Sequence, residues 1–273
     1  VRIALFQMTA GIDPVGNSAL LCAAVKDAAL GGAQILFTPE MSGLLDSNRD
    51  RARPHVFSEE ANPVLTNVRE AAKAAGIWVH LGSLAVDAGS RWANRGFLVD
   101  SRGEVRARYD KLHLFDVDLP TGESWRESNA YVPGEGSVVA DTPVGPLGLS
   151  ICYDIRFPAL FQALSQAGAR VLSVPAAFTV PTGEAHWHTL LRARAIENAC
   201  WVVAAAQYGA HEDGRKTYGH SLVIDPWGKI VLDMKEQSGL AFAEIDLGLV
   251  DDVRGRVPVI THRRAIPAVE NVR

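Results

Sequence analysis

Cys152, Glu40 and Lys111 are the three side chains of this sequence whose types could together carry acyl transfer. Each comes at the end of a strand-like segment: Glu40 ends "AQILFTPE", Lys111 ends "VRARYDK" and Cys152 ends "LGLSICY". A free thiol is only slightly ionised near neutrality, so as a nucleophile it needs a base. A carboxylate can take that proton and later deprotonate water. The addition of a thiol to a carbonyl creates an oxyanion, and a fixed ammonium stabilises it. Taken singly, each residue also has a plain structural reading. Cysteine is often a small core residue, lysine is usually solvated, and a glutamate after proline can serve as a helix-start charge. The spacing raises the chemical reading, because sites in open α/β folds gather where strands end and loops can enclose a ligand.

The elements that must position these groups are legible from periodicity. "RIALFQM", "AQILFTPE" and "IWVHLGSLAV" read as strands, separated by helices in "NSALLCAAVKDAAL" and "PVLTNVREAAKAAG". Asn17 is the expected N-cap of the first helix, with Gly31 and Gly32 as its stop. A hairpin follows, "RGFLVD" turning through "SRGE" into "VRARYDK". The segment "DVDLPTGESWRESNAYVPGEG" is long, polar and aromatic, which suggests a functional loop. The second half repeats the alternation: "LGLSICY", the helix "PALFQALSQAG", "ARVLSVPAAF", the helix "EAHWHTLLRARAIENAC" and "WVVAAAQ". The hairpin "HSLVIDPWGKIVLDM" and a last strand "LAFAEIDL" close it. No linker-like composition interrupts the chain, so residues 1–273 read as one domain of helices layered over mixed sheets.

Bulk properties exclude several classes. The chain is 48% hydrophobic and 21% charged, ordinary for a globular enzyme with a sizeable core. A formal net charge of −4 argues against a nucleic-acid partner. No apolar run approaches a membrane span and no signal-peptide pattern is visible. The three cysteines, Cys22, Cys152 and Cys200, lack the spacing of a disulfide framework or a zinc site. A cytoplasmic setting with no metal and no cofactor is the expectation. Cys22 and Cys200 read as helix-packing residues.

"FTPEM", "YDKLHLFD" and "ICYDIRFP", in that order, resemble the three signatures of the nitrilase superfamily of carbon–nitrogen hydrolases. The resemblance runs from "RIALFQM" to "VPVITHRR" and implies a four-layer αββα sandwich. It assigns Glu40 as general base, Lys111 as oxyanion stabiliser and Cys152 as nucleophile. It also implies a second site glutamate before a Pro-Gly, which places that role on Glu127 in "ESNAYVPG", with Glu123 the competing choice. The backbone N–H of Tyr153 would be the second oxyanion donor. One departure is Ala159, where the family often has glutamate after "RFP".

"HLFDVDLP", "AHWHTLLRARAIENACWVVAAAQ" and "YGHSLVIDPWG" are similar to the branch containing deaminated-glutathione amidases and ω-amidases. The implied activity is hydrolysis of the terminal amide of a small carboxylate-bearing substrate through a cysteine thioester, with release of ammonia. An N-carbamoyl amino acid hydrolase or a nitrilase is the alternative within the superfamily, and a catalytically silent interaction module the alternative outside it. Arg156 has two readings: it grips the substrate carboxylate, or it braces the turn through Asp154, with Arg192 or Arg194 then left for the carboxylate. His113, His186 and His220 read as structural hydrogen-bonders. Segments 42–58, 115–135 and 178–186 are expected to shape the pocket. The resemblance also implies a homodimer, with "DIRFPALFQAL" and the tail "VPVITHRRAIPAVE" as candidate contacts.

Overall fold

The structure is a computed structural model that describes residues 1–119 and 122–272. Pro120 and Thr121 of the central loop, and Arg273, lie outside the described residues. Two large sheets form the centre. The first runs in the order Gly239–Glu244, Arg2–Gln7, Ile35–Phe37, Trp78–Asp87, Trp92–Val99, Val105–Asp110, with Tyr131–Val132 added beside Trp92–Val99. The second runs Ile230–Asp233, Leu222–Ile224, Trp201–Ala204, Val171–Ser173, Gly145–Gly148, Val139–Thr142. Each has three parallel strands at its heart, flanked by antiparallel partners.

Side-chain alternation sets the layers. On the first strand Ile3 and Leu5 face the second sheet, while Ala4 faces the helices Pro14–Leu30 and Pro63–Ala75. Ile35 and Phe37 likewise cluster with Leu147, Val171 and Val203 between the sheets, and Leu36 turns outward to Leu21 and Val68. The helices Pro158–Gln166 and His188–Asn198 cover the far side of the second sheet with Phe161, Leu164, Leu191 and Ala195. The result is the expected αββα sandwich, in which both sheets are buried on two faces and hence read as near-continuous apolar runs.

Several local expectations shift. The first helix begins at Pro14, not after Asn17. Asp13 caps it by accepting from the N–H groups of Val15 and Gly16, and proline suits the first helical position because its missing N–H would be unpaired there. Asn17 is buried inside the helix, where its side-chain amide donates to the carbonyls of Gly11 and Gly43. The helix that was expected to hold Cys200 ends at Asn198, so Cys200 lies beyond it, buried against the Ala169 carbonyl. Cys22 does sit within the first helix, half-buried. The strand before the nucleophile stops at Gly148, and the chain then bends to Cys152, whose N–H donates to the Pro175 carbonyl at 2.9 Å.

Two glycines permit close approaches that the site needs. A Cβ at Gly82 would stand 2.1 Å from the Thr38 carbonyl oxygen, so only glycine lets this strand pass the segment that carries Glu40. A Cβ at Gly134 would stand 2.1 Å from the Asp110 carbonyl oxygen, and the Gly134 N–H donates to the Lys111 carbonyl at 2.9 Å.

Candidate active site

Glu40, Lys111 and Cys152 all follow strands, and the fold brings them together although 112 residues separate the first from the last (152 − 40). Lys111 Nζ lies 2.9 Å from Glu40 Oε1 and 2.9 Å from Glu127 Oε2. Glu127 also accepts from the Phe115 N–H at 2.7 Å, which fixes it in the central loop. Glu40 is held from the opposite side, its Oε2 accepting from the Ala177 N–H at 3.0 Å. Glu40, Lys111 and Cys152 are all buried. Of the two glutamates competing for the central-loop position, Glu127 reaches the ammonium, while Glu123 is exposed on the cavity wall.

The backbone at both reactive ends is strained. Cys152 has φ +49° and Met41, next to Glu40, has φ +56°, both in the left-handed region that side chains with a Cβ rarely adopt. The bend at Cys152 opens the single turn Cys152–Arg156. At its start the Tyr153 N–H has no partner among the described residues. Asp154 holds the turn from behind, with no exposure. It accepts from the Tyr109 hydroxyl at 2.7 Å, the Ile151 N–H at 2.9 Å and the His113 N–H at 3.0 Å, and His113 Nδ1 is 2.7 Å away.

Burial and charge set the protonation states. Burial pushes the Glu40 carboxyl up, but the Lys111 ammonium and hydrogen bonds from Cys152, Lys111 and Asn94 outweigh it and hold the group below its ordinary value. Burial alone would lower the Lys111 pKa. The carboxylates of Glu127 and Glu40, with Cys152, raise it well above the ordinary lysine value. Burial and the Glu40 charge raise the Cys152 thiol well above its ordinary value, with Lys111 opposing. The resting site is therefore a protonated thiol beside an ionised carboxylate and an ammonium. This arrangement can deliver a thiolate only as the proton moves to Glu40.

Sequence reasoning missed Asn94. Its amide donates to Glu40 Oε1 at 2.8 Å and to Glu127 Oε1 at 3.1 Å, tying the two acids together. A lone asparagine in the strand "WANRGFLV" was the available signal. Gln207 was also missed, its amide donating to the Glu40 carbonyl at 3.0 Å.

The site is the floor of a cavity of about 840 Å³. Residues 41–52, Phe115, residues 123–131 and residues 177–181 supply walls, close to the expected ranges, and a further segment, Asp213–Thr217, was not anticipated. Arg156 does not line this cavity. Its Nη2 lies 3.2 Å from His186 Nδ1, and its guanidinium sits over the rings of Tyr153 and Phe178. Nor does it bond Asp154, whose oxygens are taken up by Tyr109, Ile151 and His113. Arg192 and Arg194 also point elsewhere, donating to the carbonyls of Gly228 and Ile155. His113, His186 and His220 are hydrogen-bonded as expected.

Among the described residues, His188, His220 and Asp233 form a group able to hold a metal ion. It lies outside the cavity, and its members already satisfy one another, with His220 Nδ1 2.9 Å and His188 Nε2 3.4 Å from Asp233. No helix among the described residues is long and apolar enough to cross a membrane.

Residues 2–255 match the family described as Carbon-nitrogen hydrolase, and the chain belongs to it. The chain is 42% identical over 272 residues to the deaminated glutathione amidase of Yersinia enterocolitica, covering 98% of this chain and 94% of that one. Among solved structures, the C. elegans NitFhit protein superposes with a TM-score of 0.89 at 42% identity over 96% of this chain. The match spans 65% of that longer protein. A mutant of the amidase from Nesterenkonia sp. AN1, showing the result of Michael addition of acrylamide at its active site cysteine, gives a TM-score of 0.80. Its identity is 30%, over 94% of this chain and 98% of that one.

Proposed function

We propose that this protein is an amidase that hydrolyses an amide of a small carboxylate-bearing 2-oxo acid, of the deaminated glutathione or 2-oxoglutaramate type, through a thioester on Cys152. The observation that carries this reading is the buried Lys111 ammonium held between Glu40 and Glu127 beside the Cys152 thiol. The likeness to deaminated glutathione amidases supports the substrate class.

Glu40 accepts the thiol proton as sulfur attacks the amide carbon. The tetrahedral oxyanion is stabilised by Lys111 and by the Tyr153 N–H. Collapse breaks the carbon–nitrogen bond, and protonated Glu40 returns its proton to the departing nitrogen. Glu40 then deprotonates a water that attacks the thioester, and the carboxylic acid leaves as the thiol is restored. Glu127 and Asn94 keep Lys111 and Glu40 in register. The amine released depends on the amide: ammonia from 2-oxoglutaramate, but a cysteinyl-glycine dipeptide from deaminated glutathione. Ammonia release alone is therefore too narrow an assay.

The test is product analysis across deaminated glutathione, 2-oxoglutaramate, N-carbamoyl amino acids and nitriles. Turnover confined to the last two classes, or Cys152→Ala retaining wild-type turnover, would refute the reading. A homodimer is part of the same proposal, supported by apolar side chains left exposed on the tail, Ile266, Val269 and Val272. Three free cysteines are in keeping with a reducing, cytoplasmic setting.

A further inference from the structure

The cavity wall carries cations that neither the triad nor the fold requires, and they differ in how they are held. Arg126 is closed off by two hydrogen bonds to Asp118. Arg49 is half-buried and donates through Nη2 to the Arg126 carbonyl at 2.8 Å, and Lys216 is exposed. Arg215 is held on two sides, by a carboxylate and by an indole ring. Its Nε donates to Asp213 Oδ2 at 2.7 Å, and its guanidinium lies 5.2 Å from the centre of the Trp125 ring. Asp213 is itself fixed from behind, its side chain fully buried and accepting from the N–H groups of Ser47 and Arg215. Nε is thus occupied, while the two Nη groups of Arg215 have no partner among the described residues. The indole N–H of Trp125 is also buried without a partner among the described residues. Arg215 and the reactive floor share one space, since Glu40, Lys111, Glu127, Cys152 and Arg215 line the same cavity.

We infer that Arg215, aligned by Asp213 and Trp125, is the carboxylate-binding subsite of this cavity and determines its preference for anionic amides. A planar guanidinium with both Nη groups free matches a carboxylate bidentately. Its fixed position spares the ordering that a flexible lysine would need on binding. Asp213 does not cancel the attraction, because it is buried behind Nε and the cation presents its far edge. This inference rests on the amidase reading and names the group that selects the substrate. The carboxylate gripped is that of the 2-oxo acid or one on the departing amine, and the choice of substrate separates them.

Arg215→Gln and Arg215→Lys should be compared with wild type on 2-oxoglutaramate, deaminated glutathione and an uncharged amide of similar size. Arg215→Gln should lower kcat/KM for the anionic amides about 30- to 100-fold more than for the uncharged one, as expected for loss of a charge-assisted pair. Arg215→Lys should recover part of that difference. A selective loss on both anionic amides assigns the 2-oxo acid carboxylate, and one confined to deaminated glutathione assigns the departing side. Equal loss on all three, or none, overturns the inference. Binding of both anionic amides to Cys152→Ala, measured by calorimetry with and without Arg215→Gln, decides the subsite without turnover. Binding that Arg215→Gln leaves unweakened for both amides, or no binding of either by Cys152→Ala itself, overturns it there. Wild-type protein that binds these amides but hydrolyses none would instead refute the amidase reading.

Discussion

Lys111 Nζ stands 2.9 Å from Glu40 Oε1, so the proposed base and the proposed oxyanion cation form one buried ion pair. Neither group is free to titrate alone. The ammonium favours the ionised form of Glu40, and Glu40 favours the charged form of Lys111 where burial opposes it. Removing either partner leaves the other charge uncompensated, a change that usually exceeds the worth of the pair itself.

Lys111→Ala should lower kcat by about 10²–10³, the loss typical of one oxyanion contact. Glu40→Gln should be at least as severe, since it keeps shape but accepts no proton. Intact mass spectrometry of wild type during turnover should show an acyl adduct on Cys152. An adduct that formed at the wild-type rate in Glu40→Gln would remove Glu40 from the base role.

Glu127→Gln should shift the pH profile rather than only its height. Burial lowers the Lys111 pKa, and Glu127 is the largest of the charges raising it. Without that charge the ammonium deprotonates at lower pH. The alkaline limb of kcat/KM should therefore move toward neutrality, while Glu123→Gln should leave the limb in place. Asn94→Ala should lower kcat more than it raises KM, because its amide bridges the two acids and not the cavity wall.

His80 should make the fold acid-sensitive. It is buried, its Nε2 3.3 Å from Ser173 Oγ of the facing sheet, and burial lowers its pKa from 6.5 to about 4. The unfolded chain thus binds the proton first. This contribution is fully present above pH 6.5, is lost as pH falls toward 4, and amounts to about 3 kcal/mol. Denaturant titrations of wild type and His80→Phe at pH 7 and pH 4.5 should show a smaller acid loss in the variant. Equal losses would show that other groups carry it.

Light scattering at micromolar concentration should give about twice the 29.4 kDa chain mass. Truncation after Val257 should push that value toward the monomer, because it removes the exposed apolar residues of the tail. A wild-type monomer would leave those side chains without a burial partner and refute the dimer.

The sequence alone determined what local pattern can determine. Apolar runs of strand length, helix periodicity and motif order placed Glu40, Lys111 and Cys152 at element ends, and Glu127 in the loop before Pro133-Gly134. What it could not determine depends on contacts between distant segments. Asn94 lies in a strand like any buried position until the central loop delivers Glu127 to it. Arg215 reads as one charge in the polar turn "HEDGRK" until Trp125, 90 residues earlier (215 − 125), packs against it. Arg156 reads as a neighbour of the nucleophile because it is four residues away, but the turn at Cys152 carries its side chain out of the cavity to His186. Strand periodicity is a local property written along the chain. A cavity wall is made where loops from both sheets meet, and only the packing of the sandwich brings them together.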